Sequence, residues 1–362
     1  MRSAKPSVLP PVMPWLVQQG PDADVALGAR VRLTRNLAEY PYLDTGADAH
    51  TYWEAVAFCQ EAVEEVVDDA LDLLHIDGVS LQAAQVAFLR DRALLEQTVP
   101  AALAVDAQER AAFLFGGRDH LAITTLEPGS DVAGAQQRAL YWDRRLEQRL
   151  NFAVSLDWGY LSSDITELGT AMRASVLLHL PAAVELEQLQ GLDETVESRG
   201  MQLRRMTDEC AALFWLENRH TIGMSEEAII SKLEESVQSV VSFEREARAG
   251  LLRGRRSEVA ERAHRAYGLL QFSRAISSEE ALQLVSDLRL GVICGLVTAI
   301  DGTLANSLFF LARDGHIDVY CEDYEQKREG ENNINQARAR LVQELLRNEP
   351  RSPGGLGGII DV

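Results

Sequence analysis

Two short apolar runs, Ala111-Ala112-Phe113-Leu114-Phe115 and His120-Leu121-Ala122-Ile123-Thr124-Thr125, flank Gly116-Gly117-Arg118-Asp119. A glycine pair supplies the positive φ that a tight reversal needs, so the runs are expected to pair as antiparallel strands. Upstream, Val25 to Leu37 alternates like a strand from Arg30 onward. Thr51 to Leu74 reads as an amphipathic helix with Val56, Cys59, Val63, Val66 and Val67 on one side. Ala135 to Leu150 is a charged helix, and Ala171 to Leu180 is an apolar segment ended by Pro181. Trp158 and Tyr160 read as core or sheet residues.

Ser225-Glu226-Glu227 caps a long helix expected to run to Leu252. Arg253-Gly254-Arg255-Arg256 is then a basic, glycine-containing break, taken as a domain boundary. Beyond it the pattern is helical, with Val259 to Phe272, Ser278 to Leu290 and shorter segments to Asn348. The expected division is therefore 1–252, 257–348 and a mobile Gly/Pro-rich tail, 349–362.

With 35 basic and 55 acidic residues the formal charge is −20. Such a surface repels nucleic acid and anionic membranes, and repels ATP unless a cluster of arginines reverses the field locally. No apolar run reaches the length of a membrane span, and the first residues lack a signal-peptide core, so a cytoplasmic protein is expected. Cys59, Cys210, Cys294 and Cys321 lie far apart in sequence, without metal-ligand spacing, and read as buried free thiols.

The segment Gly159-Tyr160-Leu161-Ser162-Ser163-Asp164-Ile165-Thr166-Glu167-Leu168-Gly169-Thr170-Ala171-Met172-Arg173-Ala174-Ser175-Val176 resembles the signature of the ATP:guanidino phosphotransferases, Gly-Tyr-Leu-Thr-Ser-Cys-Pro-Thr-Asn-Leu-Gly-Thr-Gly-Leu-Arg-Ala-Ser-Val. Gly28-Ala29-Arg30-Val31-Arg32-Leu33-Thr34-Arg35-Asn36-Leu37 is similar to the family's Ser-Ser-Arg-Ile-Arg-Leu-Ala-Arg-Asn-Leu. His179-Leu180-Pro181, Thr221-Ile222-Gly223, Arg265 to Leu270, Ile276 to Leu282 and Leu288 to Gly291 resemble the bacterial protein-arginine kinase branch. The resemblance runs from about Trp15 to Leu346. It implies an α+β fold: an antiparallel sheet flanked by helices, followed by an all-helical C-terminal domain. It also implies ATP and Mg2+ as cofactors, a protein client or quality-control partner, and a homodimer.

Guanidino phosphoryl transfer needs cations around the γ-phosphoryl and anions around the guanidinium acceptor. By resemblance, Arg30, Arg32 and Arg173 occupy phosphate-contacting positions, and Arg199 and Arg204 join them as candidate cofactor-binding residues. Taken alone, Arg30 and Arg32 would read as a solvated strand face. The acceptor side departs from the family. Asn-Glu-Glu-Asp-His-x-Arg has become Gly116-Gly117-Arg118-Asp119-His120-Leu121-Ala122, so a catalytic glutamate is Arg118 and an arginine is Ala122. The reactive cysteine is Asp164, a loop glutamate falls at Arg204 or Arg205, and the histidine of Glu-Arg-His-Leu falls at Ala93 after Arg92. Of the phosphoarginine-pocket motif Arg-Asp-x-x-Arg-Ala, only Arg338-Ala339 survives.

Two functional readings follow. One is a pseudokinase that keeps a partial phosphate pocket through Arg30, Arg32, Arg118, Arg173 and Arg204. The other is an active guanidino kinase whose carboxylates are Asp119, Asp164 and Glu167. A purely structural interaction protein is the third possibility.

Overall fold

The computed structural model describes residues 9, 12–42, 48–67, 71–95, 99–325 and 334–348. Strand β1 (Ala26–Arg35) is followed by helix α1 (Ala49–Val67), β2 (Leu73–Asp77), α2 (Ala83–Asp91), β3 (Ala102–Asp106), β4 (Ala111–Phe115) and β5 (Leu121–Pro128). Then come α3 (Val132–Leu146), the short hairpin β6 (Val154–Ser155) and β7 (Gly159–Tyr160), β8 (Met172–His179), α4 (Pro181–Glu185), α5 (Leu189–Glu197), β9 (Met201–Arg205) and β10 (Leu213–Asn218). Five helices complete the described fold: α6 (Glu226–Phe272), α7 (Ser278–Ile293), α8 (Gly302–Leu311), α9 (Asp314–Glu325) and α10 (Ile334–Asn348).

Eight strands form one antiparallel sheet in the order β2-β3-β4-β5-β1-β8-β10-β9. The glycine pair reverses the chain between β4 and β5 as its composition requires. Gly116 adopts φ +67° and lies so close to Tyr52 and Val56 that a Cβ would collide with both.

Strand alternation sorts β1 onto two faces. Ala29, Val31 and Leu33 point into a core shared with α1, α3 and the first half of α6. Leu27, set out of that alternation by a β-bulge between Ala26 and Gly28, faces the opposite way, into a second core built from Leu126, Leu177 and Trp215 of the sheet and from the helices after Val259. Arg30 belongs to this second face and is only 6% exposed, so the strand face expected to be solvated is instead covered. Each side of the sheet thus carries its own helical layer.

The Arg253–Arg256 break is absent as a gap between elements. Helix α6 runs through it, and only Arg255 leaves helical geometry, at φ −134°. One glycine costs a helix about 1 kcal/mol, which flanking arginines, leucines and glutamates outweigh; the result is a kink. Thr51 to Leu74 is shorter than expected as a helix: α1 ends at Val67, and Leu73-Leu74 opens β2. Ala171 to Leu180 is mostly strand β8. Cys59 and Cys210 are buried and Cys294 is half-buried. Burial pushes the Cys59 thiol up to about 12, which makes it unreactive. The side chain of Cys321 and the tail 349–362 lie outside the described residues.

One buried ion pair pins the strands to the helical layer. Arg35, fully buried at the end of β1, donates twice to Asp143 of α3 at 2.8 Å. It also donates to the carbonyls of Thr34 and Thr170, and its guanidinium stacks 3.6 Å from the Tyr160 ring. Arg35→Ala would leave the Asp143 carboxylate buried without its partner. The expected loss is about 3–5 kcal/mol in denaturant unfolding, and Arg35→Lys should recover little because it cannot supply the planar fork.

Candidate active site

A cavity of about 680 Å³ opens on the second face of the sheet. Six arginines line it, Arg30, Arg90, Arg118, Arg173, Arg204 and Arg313, against four carboxylates, Asp91, Asp164, Glu167 and Glu217. The lining is therefore net positive inside a chain of net charge −20. This is the local reversal of field that an anionic ligand would need.

Strand register explains the grouping. Arg32 of β1 stands opposite Arg173 of β8, and Arg30 stands opposite Ser175. Ser175 in turn opposes Glu217 of β10, and Trp215 opposes Arg204 of β9. Paired residues share a face, so three strands, β1, β8 and β9, deliver cationic side chains to one side of the sheet, and β10 adds Trp215 and Glu217. Arg30 donates to Ser175 Oγ at 3.3 Å and lies 4.9 Å over the Trp215 ring. The β4–β5 turn brings Arg118, and the segment before β8 brings Asp164 and Glu167. Arg90 and Asp91 come from the end of α2, and Arg313 comes from the α8–α9 junction. Gly315 makes that junction possible: it lies against the α2 backbone, where a Cβ would approach the Phe88 nitrogen to 2.5 Å.

Each cavity carboxylate is bonded to an arginine. Arg118 donates to Asp164 at 3.1 Å, Arg173 to Glu167 at 3.3 Å, Arg204 to Glu217 at 3.0 Å and Arg313 pairs with Asp91 at 2.9 Å. Arg118 and Asp164, the two most conspicuous departures from the family signature, are thus partners. Glu167, at the signature's asparagine position, holds Arg173, which the signature retains. The Thr166 hydroxyl and amide, followed by Arg118, hold the Asp164 carboxyl below its ordinary range. Burial alone would raise Glu217, but Arg204, Gln202 and Arg30 overcome it and keep that carboxyl low. For Asp91 burial wins over Arg313 and moves the carboxyl up to about 7.

Other expected site residues lie elsewhere. Arg32 shares the arginine-bearing face but does not line the cavity. Arg199 turns away from it and donates to Ser239 Oγ and the Glu235 carbonyl on α6. Asp119 lies outside the lining: Asn36, Ser162 and the Ser163 amide all donate to its Oδ1, fastening β1 to the signature segment. His120 is buried, and its Nδ1 accepts from the Leu37 amide. Ala93 lines the cavity at φ +60°, while Arg92 is buried in an ion pair with Glu109. Arg338 is fully buried and donates to the carbonyls of Ala312 and Ile276, acting as a clasp among the C-terminal helices. Trp158 is not a core residue: 53% of it is exposed. Arg90, Asp91, Arg313, Trp215 and Glu217 were missed in the sequence; only contacts between distant segments reveal them.

The Glu217 arrangement is directly testable. Arg204→Ala removes the strongest opposition to burial, so the Glu217 carboxyl should titrate at higher pH in a carbon-detected NMR titration. The stability Glu217 contributes in the native protein is present above its unfolded pKa and lost as pH falls through its depressed folded value. In Arg204→Ala that acid-side loss should begin at higher pH. An unshifted titration would show that the pair does not set the carboxyl.

A family model described as "ATP:guanido phosphotransferase, C-terminal catalytic domain" matches residues 54–247. One described as "Protein-arginine kinase McsB C-terminal domain" matches residues 256–354. The protein-arginine kinase of Desulforamulus reducens is 34% identical over 322 residues, covering 86% of this chain and 90% of that protein. The protein-arginine kinase of Halalkalibacterium halodurans is 32% identical over 319 residues, with 86% and 89% covered. Among solved structures, a lombricine kinase aligns with a TM-score of 0.55 at 16% identity, over 68% of this chain and 71% of that one. The duplicated taurocyamine kinase from Schistosoma mansoni, with bound transition state analog components, aligns with a TM-score of 0.56 at 16% identity. That alignment covers 73% of this chain and 39% of the duplicated enzyme. At that identity these two speak for the fold, an antiparallel sheet flanked by helices. With the sequence relatives added, the chain belongs to the ATP:guanido phosphotransferase family, in its bacterial protein-arginine kinase branch.

Proposed function

We propose that this chain is a protein-arginine-kinase homologue that binds ATP in the arginine cavity without passing the γ-phosphoryl to a guanidinium. The observation that carries this reading is the pairing of all four cavity carboxylates with arginines. A guanidinium acceptor is cationic; it needs a carboxylate to orient it and to take its proton. Here an incoming guanidinium would have to displace one already in place, and Arg118 repels it where the family has an acid.

The donor side is better kept. Arg30 and Arg173 stand at the family's phosphate-contacting positions, Arg204 joins them around a volume suited to a polyphosphate, and planar guanidinium forks match phosphate oxygens. Among the described residues no group of three His, Cys, Asp or Glu could hold a metal by itself. Magnesium would therefore arrive on the phosphates, where it would neutralise their charge. Among the described residues no helix is long and apolar enough to cross a membrane. Relatives named protein-arginine kinases support a protein partner. The ATP-bound form would act on that partner as a cytoplasmic regulator in protein quality control, as a homodimer.

A second reading, an active kinase using Asp164 and Glu167, has one observation in its favour. The Arg118 and Asp164 side chains are 49% and 31% exposed, and a pair that open to solvent holds by only about 0.2–1 kcal/mol. An acceptor guanidinium could replace Arg118 cheaply.

Transfer of labelled γ-phosphate from ATP to an arginine-rich protein separates the two. No incorporation is expected at high protein concentration, while MgATP at a hundredfold over its Kd should stabilise the fold by about 2.7 kcal/mol in thermal unfolding. Arg173→Ala should abolish that stabilisation. Incorporation that disappears in Arg173→Ala would establish the second reading instead.

A further inference from the structure

The segment that carries Asp164 and Glu167 into the arginine cavity has both its ends, Gly159-Tyr160 and Gly169-Thr170, in a different hollow of about 690 Å³. Its chemistry is the reverse of the cavity's. Glu147 after α3, Asp157 in the β6–β7 hairpin, and Glu226 and Glu227 in the first turn of α6 line it, and no basic residue does. Among the described residues none of these four carboxylates forms an ion pair, whereas every carboxylate of the arginine cavity does.

Apolar surface is concentrated at the same place. Eleven large apolar side chains stand exposed among the described residues. Val154, Trp158 and Ile222 line this hollow, and Leu156 stands fully exposed at the tip of the same hairpin. Helix α6 accounts for part of the acidity, since its N-terminus favours Glu226 and Glu227, while burial pushes the Glu226 carboxyl up against the pull of Arg35 and Arg144 from outside the lining. Neither explains Asp157 and Glu147, nor a tryptophan and three aliphatic side chains left open to water around them.

We propose that this hollow is a docking site for a basic segment of another protein, one that presents lysine or arginine beside apolar side chains. Unpaired carboxylates supply the complement to the cation, the open face of Trp158 suits a cation or an aliphatic stem, and Leu156, Val154 and Ile222 supply apolar contact. A second copy of this chain is a poor occupant. A two-fold contact would set this acidic patch against itself, in a chain with 55 acidic and 35 basic residues. The site is independent of whether the arginine cavity transfers phosphoryl groups.

Fluorescence anisotropy with the full chain and a labelled peptide of alternating arginine and leucine tests the proposal. Binding should weaken as salt rises, and a peptide with glutamine in place of arginine should bind at least about tenfold more weakly. Trp158→Ala and Asp157→Asn, both at exposed positions and checked by an unchanged Tm, should each raise the Kd by about tenfold. Absence of binding at millimolar peptide would overturn the proposal. So would equal affinity in both variants, which would place the peptide elsewhere, or equal affinity for the glutamine peptide, which would leave only a greasy surface. Self-association in sedimentation that Trp158→Ala abolishes would assign the surface to a second copy.

Discussion

The antiparallel register of β1 between β5 and β8 is the constraint on which the rest of the structure depends. A strand buried on both faces must satisfy two cores at once. In β1 one face is Ala29, Val31 and Leu33, and the other carries Arg30 and Arg32, joined by Leu27 across the β-bulge at the start of the strand. A slip of one residue would send arginines into the helical core and valine into the cavity, so the register is strongly specified. Everything that follows about charge placement is a consequence of that pairing, with Arg35 and Asp143 anchoring its end.

Gathering six arginines around one hollow has an electrostatic cost that the fold meets with carboxylates rather than with solvent. Arg32 directly opposite Arg173 is an unfavourable cross-strand pair taken alone. Glu167 beside Arg173 and Glu217 beside Arg204 offset part of that repulsion. The Arg118–Asp164 pair follows the same logic, because each substitution alone would add an uncompensated charge to the site and together they form a bond. Arg118 and Asp164 thus compensate each other within the cavity.

The helical C-terminal region is part of that site. Its helices share an apolar core with the second face of the sheet, and Arg313 reaches the cavity from the α8–α9 junction to meet Asp91 on α2. Close approach at Gly315 holds that junction against α2, and the clasp made by Arg338 ties it to the other C-terminal helices. The cavity and the packing of the C-terminal helices consequently share residues.

Much was legible in the sequence because it rests on local rules. The glycine turn between β4 and β5, the Ser225 cap of α6 and the alternation of β1 each follow from backbone preference and periodicity, which neighbouring residues dictate. The resemblance to family motifs located Arg30, Arg118, Asp164, Arg173 and Arg204, all of which line one cavity. The break expected at Arg253–Arg256 is a kink at Arg255 rather than a gap, because a single glycine is a weak signal against strong helix formers on both sides. What only the tertiary structure decided is who partners whom. Glu217 opposing Arg204, Asp91 meeting Arg313, Asp119 fastening Asn36 to the signature segment and Arg199 turning toward α6 all depend on contacts between distant parts of the chain. Composition and spacing determine which charges exist; in a buried site the function of each depends on the group within hydrogen-bonding distance of it, and that distance is set by packing.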